Sequence, residues 1–284
     1  MLLKSNAFCD RIEEKERGQR AMKQIQNKIL ISQDRRSYFH SLCLEAMNKA
    51  SHAGNAGIGT LAEKKMHAII KRYLCADENL HEVGVFNTRY VSDVRIGNDI
   101  YEVQTGAFYP MKRKIAHYLE NTDCTVTIVH PIVVNKWITW ISPNEQEQAP
   151  YPRKKSPKHE TPLALLPELY CLLPYLQHPH LKFRLLLIEA EDFRLQNQSS
   201  NNRKRESRLY ERIPLSLLDD IQLNSPADFL SLLPNTLPKT FTVRQFSAQT
   251  KLRGRDAYSA VRALVGLGIL FPTEPIGKAM AFTF

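Results

Sequence analysis

Asp93, Glu102 and Gln104 stand in one short stretch, YVSDVRIGNDIYEVQTG, residues 90–106. Alternating apolar and polar residues flank Gly97-Asn98, the pattern of two strands joined by a two-residue turn. With that turn, cross-strand partners carry numbers that sum to 195, so Asp93 faces Glu102. Gln104 lies two residues further, on the face of Glu102. Carboxylates opposed in this way sit about 4.5–5.5 Å apart at Cβ and repel each other. A hard divalent cation, Mg2+ or Mn2+, converts the repulsion into binding. The main-chain carbonyl of Val103 is a further candidate ligand, and Glu63 on the preceding helix could reach the metal or its water shell. Such an ion polarises a phosphodiester, lowers the pKa of a bound water and neutralises charge in the transition state. Gln104 carries no charge but can orient the attacking water. Lys112 and Lys114, in the next helix, are candidates to hold a phosphate.

The elements around this stretch follow from its flanks. Thr60 and Glu63 have the spacing of a capping box at the head of a helix over Leu61–Leu74, with Met66, Ile69, Ile70 and Tyr73 as its buried stripe. Glu63 and His67 share a face of that helix. Glu82–Phe86 reads as a strand, Ala107–Glu120 as a helix, Thr125–Val129 as a buried strand closed by Pro131, and Lys136–Ile141, with Trp137 and Trp140, as another strand. A helix joining the Glu102 strand to the Thr125 strand is the crossover that parallel neighbours need. The expectation is an α/β sheet, antiparallel on one side and parallel in the middle. The plainer alternatives are a Glu63 that only closes its box, a surface or half-buried His67, and solvent-facing Asp93 and Glu102.

An acid on the first helix, then Asp, eight residues, Glu, one residue and a polar group on a hairpin, resembles the PD-(D/E)XK nuclease superfamily over roughly Thr60 to Ile141. The resemblance implies a restriction-endonuclease-like mixed sheet flanked by helices, with Glu63, Asp93 and Glu102 as metal ligands. Gln104 stands at the position usually filled by lysine, a replacement found in a minority of members, including active ones. Ser92 stands where the motif's name has proline. The strings Glu63-Lys64-Lys65 with His67, Glu102-Val103-Gln104-Thr105 and Arg153–Lys158 also resemble an uncharacterised bacterial family of that superfamily with a C-terminal winged helix.

Charge points the same way. The chain of 284 residues has a formal net charge of +10, which favours a polyanionic partner such as nucleic acid. Arg153, Lys154, Lys155 and Lys158 form one basic cluster, and Arg203, Lys204, Arg205 and Arg208 another. Residues 1–30 read as a solvated helix or frayed arm, a short amphipathic helix follows around Tyr38–Met47, and Gly54–Gly59 is a linker. Leu163–Leu176 reads as a helix interrupted by prolines, and Phe183–Ala190 as an apolar strand.

After Pro234 and Pro238 the pattern becomes helix (Thr242–Thr250), turn, helix (Arg255–Leu267) and a terminal hairpin turning around Thr273–Gly277. That is the plan of a winged helix-turn-helix domain. From Lys239 onward seven basic residues stand against two acidic. Arg253, Arg255, Tyr258 and Arg262 fall at the turn and on the outer face of the second helix, placed for a major groove, with Lys278 in the wing near a phosphate.

The expected division is an N-terminal arm and linker (1–58), a nuclease-like domain (59–232) and the winged helix-turn-helix domain (233–284). Five scattered cysteines without a CxxC pair suggest a reducing cytoplasm, and no run has the length of a membrane span. The expected function is a Mg2+-dependent DNA endonuclease acting on double-stranded DNA, with a homodimer left open as its assembly. A non-catalytic DNA-binding regulator and a protein-interaction module are the alternatives.

Overall fold

The computed structural model describes residues 33–47, 65–85, 88–141, 152–195 and 208–284. Helix α1 (33–47) and helix α2 (Lys65–Leu74) precede strands β1 (His81–Gly84), β2 (Val91–Ile96) and β3 (Asp99–Val103). Then come helix α3 (Lys112–Asn121) and strands β4 (Thr125–Ile141) and β5 (Lys154–Lys155). A short α4 (Leu165–Glu168), lying between 3-10 turns, leads to β6 (Leu181–Leu195) and β7 (Arg208–Leu223). The C-terminal part holds α5 (Pro226–Leu230), β8 (Thr240–Thr242), α6 (Val243–Thr250), α7 (Arg255–Gly266), β9 (Phe271–Ile276) and β10 (Ala279–Thr283). Residues 1–30, Gly54–Gly59, the capping pair Thr60 and Glu63, and the basic run Arg203–Arg205 lie outside the described residues.

The fold is mixed α/β. Among the described residues the large sheet has seven strands in the order β1-β2-β3-β4-β6-β7, with β5 beside β4. The pairs β1–β2, β2–β3 and β6–β7 are antiparallel, while β3–β4 and β4–β6 are parallel. Helices cover both faces. On one, α1 and α2 bury Phe39, Leu42, Ile69 and Ile70 against Val103, Val129, Leu186 and Ile188. On the other, Ile115 and Tyr118 of α3 pack with Leu165, Leu169 and Leu172 over Ile100, Ile128 and Phe183. This second core continues without a break into Phe246, Val261, Leu264 and Phe282, so the C-terminal elements share it. Gly266 of α7 lies against Leu173 and Leu176, where a Cβ would approach to 2.7 Å.

Three sequence expectations are corrected. Thr125–Val129 and Lys136–Ile141 are one strand, with Pro131 inside it. Val129 and Val133 turn their main-chain groups toward the β3 side, to Gln104 and Glu160, and Pro131 has the same parity. Its missing N–H therefore points where β3 has already ended, and no ladder bond is lost. Thr273–Ile276 belong to β9 rather than to the turn. Finally, β7 is a long strand in a region where the sequence suggested none; its Pro214, register shifts and flanking polar residues hide the period of two. Among the described residues no helix is long and apolar enough to cross a membrane.

Candidate active site

The hairpin has the expected register. Val94 pairs with Tyr101, Arg95 with Ile100 and Ile96 with Asp99, all summing to 195. Gly97 takes φ 62°, a left-handed turn position that glycine adopts without steric penalty. At the next step the backbone ladder gives way to a side chain: the Val103 N–H donates to Asp93 Oδ2 at 2.7 Å. The same oxygen lies 3.2 Å from His67 Nε2, on α2. Helix α2 is itself held by Tyr73, whose hydroxyl donates to Asp220 Oδ2 at 2.7 Å.

Glu102 accepts from Lys114 Nζ at 2.5 Å through Oε2. Burial, helped by the Asp93 charge and opposed by Lys114, pushes its carboxyl up from 4.5 to about 7. Burial also acts to raise Asp93, but the hydrogen bond and charge of His67, the Val103 N–H and Lys114 outweigh it and hold Asp93 below the usual carboxylate range. Two opposed carboxylates thus titrate apart, one readily ionised and one reluctant. Glu102 Oε1 and the Tyr118 hydroxyl are buried without a partner in hydrogen-bond geometry, though near enough to shift each other's protonation.

An open cleft of about 430 Å³ adjoins the two carboxylates. Asp93, Glu102, Val103 and Gln104 line it together with His67 and Tyr90, and Pro110, Met111, Arg113 and Lys114 from the α3 side. The orphaned Glu102 oxygen and the Asp93 carboxylate suit a hard cation, because Mg2+ is commonly held by one or two carboxylates and completes its shell with water and phosphate. Among the described residues no group of three or more His, Cys, Asp or Glu converges to hold a metal. Glu63, the expected third acid, lies outside the described residues.

Gln104 lines the cleft but is partly committed. Its N–H extends the ladder to Val129 O at 2.9 Å, and its Nε2 donates to Ala107 O at 2.5 Å. His130 Nδ1 lies 2.5 Å from the Gln104 carbonyl, and burial lowers the pKa of that imidazole. Phe108 N donates to Glu168 Oε2 at 2.9 Å. The loop after β3 is thus pinned by β4 and α4.

Lys114 reaches the site and Lys112 does not. The two are about 200° apart around α3, and the Lys112 charge bears on Cys171 instead. Arg113 takes the expected place in the lining. Arg113 and Tyr90 carry no role in the sequence pattern, and His67, expected as a surface or half-buried histidine, is half-buried and meets Asp93. Ile115, Tyr118 and Leu119 form the buried face of α3, so Arg113, exposed in the first turn, meets the cleft from its solvent side.

The remaining basic residues lie outside the cleft lining. Arg153 and Lys155 approach the Trp137 ring at 4.6 and 5.7 Å, and Lys154 and Lys158 are exposed. Arg253, Arg255 and Tyr258 are exposed at the start of α7, Arg262 is half-buried on the same face, and Lys278 is exposed in the β9–β10 turn.

No curated protein and no solved structure matches the chain. A family model does match, from the residue before α2 to the end of β7, and so takes in the whole large sheet and the cleft. Residues 64–224 match the family described as a domain of unknown function (DUF8091), and the chain belongs to that family.

Proposed function

We propose that the chain is a metal-dependent DNA endonuclease that hydrolyses phosphodiester bonds. The observation that carries this reading is the meeting of Asp93 and Glu102 across two strands at an open cleft rimmed by Arg113 and Lys114, with a Glu102 oxygen left unpartnered. Three antiparallel strands joined by a crossover helix to a parallel fourth support a restriction-endonuclease-like plan for residues 59–232. A strand, two helices and a hairpin support a winged helix-turn-helix for residues 233–284, after the 1–58 arm. Free thiols at Cys43, Cys75, Cys124 and Cys171 suit a reducing cytoplasm.

Asp93, Glu102 and the Val103 carbonyl, with Glu63, are the residues that would hold Mg2+ or Mn2+. Bound there, the ion supplies Lewis-acid polarisation and a water of lowered pKa. The chain's own groups do the rest. Arg113 and Lys114 draw the anionic backbone into the cleft, and Lys114 brings from α3 the positive charge that Gln104 lacks. Gln104 and His130 fix the loop at the rim, and the Gln104 amide orients water. Arg255, Tyr258 and Arg262 read a major groove, with Arg253 and Lys278 on flanking phosphates.

One observation favours a second reading, a non-catalytic DNA-binding regulator: Lys114 and His67 each sit against one of the two carboxylates. Plasmid and oligonucleotide duplexes incubated with Mg2+ or Mn2+ separate the two. The endonuclease nicks or cuts them, and Asp93→Ala does not. Equal cleavage by the variant excludes this site; salt-sensitive binding without cleavage identifies the regulator.

A further inference from the structure

β4, β6 and β7 run on past the end of β3, forming an arm beyond the cleft. The last rung between β3 and β4 is Val103–Val129, whereas β4 stays paired with β6 as far as Ile141. On this arm Asp192 and Glu191 are buried and ion-paired, and half-buried Glu189 accepts from Asn135 and Ser216. Asp192 is fully buried among Arg212, Lys136 and Arg194 at 2.5, 3.5 and 3.8 Å, and Glu191 takes Arg153 at 3.2 Å. The cations left over point outward. Lys154, Lys155 and Lys158 are exposed and make no ion pair among the described residues.

The face is fixed by the ladder. Glu102 is level with Ile128, and β4 alternates from there until the register shift between Val133 and Asn135 adds one residue. Beyond the shift Asn135, Trp137 and Thr139 occupy the Glu102 face. Lys155 pairs with Trp137 and shares it. The segment carrying these cations then runs back along β4 toward the cleft: Ser156 N donates to Lys136 O at 2.8 Å and Glu160 N to Val133 O at 3.3 Å. Seven or eight strand residues separate Trp137 from the Val129 rung, roughly 25 Å at about 3.3 Å per residue. That is the length of about seven base pairs of duplex.

We infer that this arm is a second nucleic-acid contact, in which Arg153 and Lys155 beside Trp137, with Lys158 on the segment returning toward the cleft, hold the phosphates of a DNA duplex about seven base pairs from the cleft. The inference rests on the proposed nuclease reading for its partner. Exposed cations strung along β4, with Lys155 and Lys158 outside any ion pair among the described residues, suit an extended phosphate backbone rather than a compact acidic protein.

The chain has two tryptophans, and both lie on the arm, so emission reports on it directly. The experiment titrates the full chain, as Trp140→Phe so that Trp137 alone emits, with a 24-base-pair DNA duplex in EDTA. Binding is measured in parallel by anisotropy for Lys155→Ala/Lys158→Ala, whose melting curve should match the parent. Expected are a change in Trp137 emission, affinity at least about 5-fold weaker in the double variant, and a salt slope shallower by about 2. Duplex binding with unchanged Trp137 emission and unchanged affinity, together with cleavage once Mg2+ replaces the EDTA, overturns the arm and leaves the nuclease reading standing. No duplex binding even at low salt overturns both. Emission that responds to polyglutamate but not to DNA makes the arm a protein dock and overturns the inference.

Discussion

Glutamine at position 102 keeps the shape of the buried side chain and removes its charge. The Glu102 carboxyl, pushed up from 4.5 to about 7, is 4% exposed, so solvent screening does not erase the effect. Moving a carboxyl from 4.5 to about 7 corresponds to about 3 kcal/mol. Because the folded value lies above the unfolded one, this stability is fully present below about pH 4.5 and is lost as the pH rises through about 7. Glu102→Gln should therefore match the parent near pH 5. At pH 8 it should be more stable by about 1–3 kcal/mol, the lower figure allowing for Lys114, which loses its partner but is 21% exposed and can turn to water. In thermal denaturation that is a gain of about 3–10 °C. The assay is melting from pH 5 to 8 in EDTA, repeated with Mn2+. Mn2+ should stabilise the parent at pH 8 and leave the variant unmoved. Parallel pH profiles, or a variant less stable at pH 8, would refute the account of this carboxyl.

Three further outcomes follow from the packing and charges. Arg212→Met removes the 2.5 Å partner of the fully buried Asp192 and leaves only the longer contacts from Lys136 and Arg194, so urea melts should show a loss of about 2–4 kcal/mol. Gly266→Val drives a side chain into Leu173 and Leu176, and should destabilise by about 1–3 kcal/mol and expose the C-terminal elements to limited proteolysis; unchanged protease resistance would argue against a shared core. Arg255→Ala and Arg262→Ala should each weaken duplex binding and lower the salt slope by about 1, whereas unaltered slopes would remove α7 from the interface.

The hairpin was legible in the sequence because its period of two and the Gly97-Asn98 turn fix register locally, and register alone sets Asp93 against Glu102. The stripe of α2 was legible for a similar reason: Met66, Ile69, Ile70 and Tyr73 are all buried. α1 is the expected short amphipathic helix, with Phe39, Leu42 and Cys43 buried and Tyr38 and Leu44 exposed. What was not legible depends on partners distant in sequence. Pro131 reads as a strand end unless one knows that β3 stops before its level, and β7 is recognised only once β6 lies beside it. Arg113 and His67 enter the site through the packing of α3 and α2 beside the hairpin, which a motif spacing does not record.

Titration calorimetry with Mn2+ at pH 8 tests the central claim most directly, since everything chemical in the account depends on Asp93 and Glu102 jointly taking a cation. The parent should bind one Mn2+ per cleft, and Asp93→Ala and Glu102→Ala should each abolish the heat while keeping their fold by circular dichroism. Undiminished binding in either alanine variant, or no binding by the parent, would contradict it.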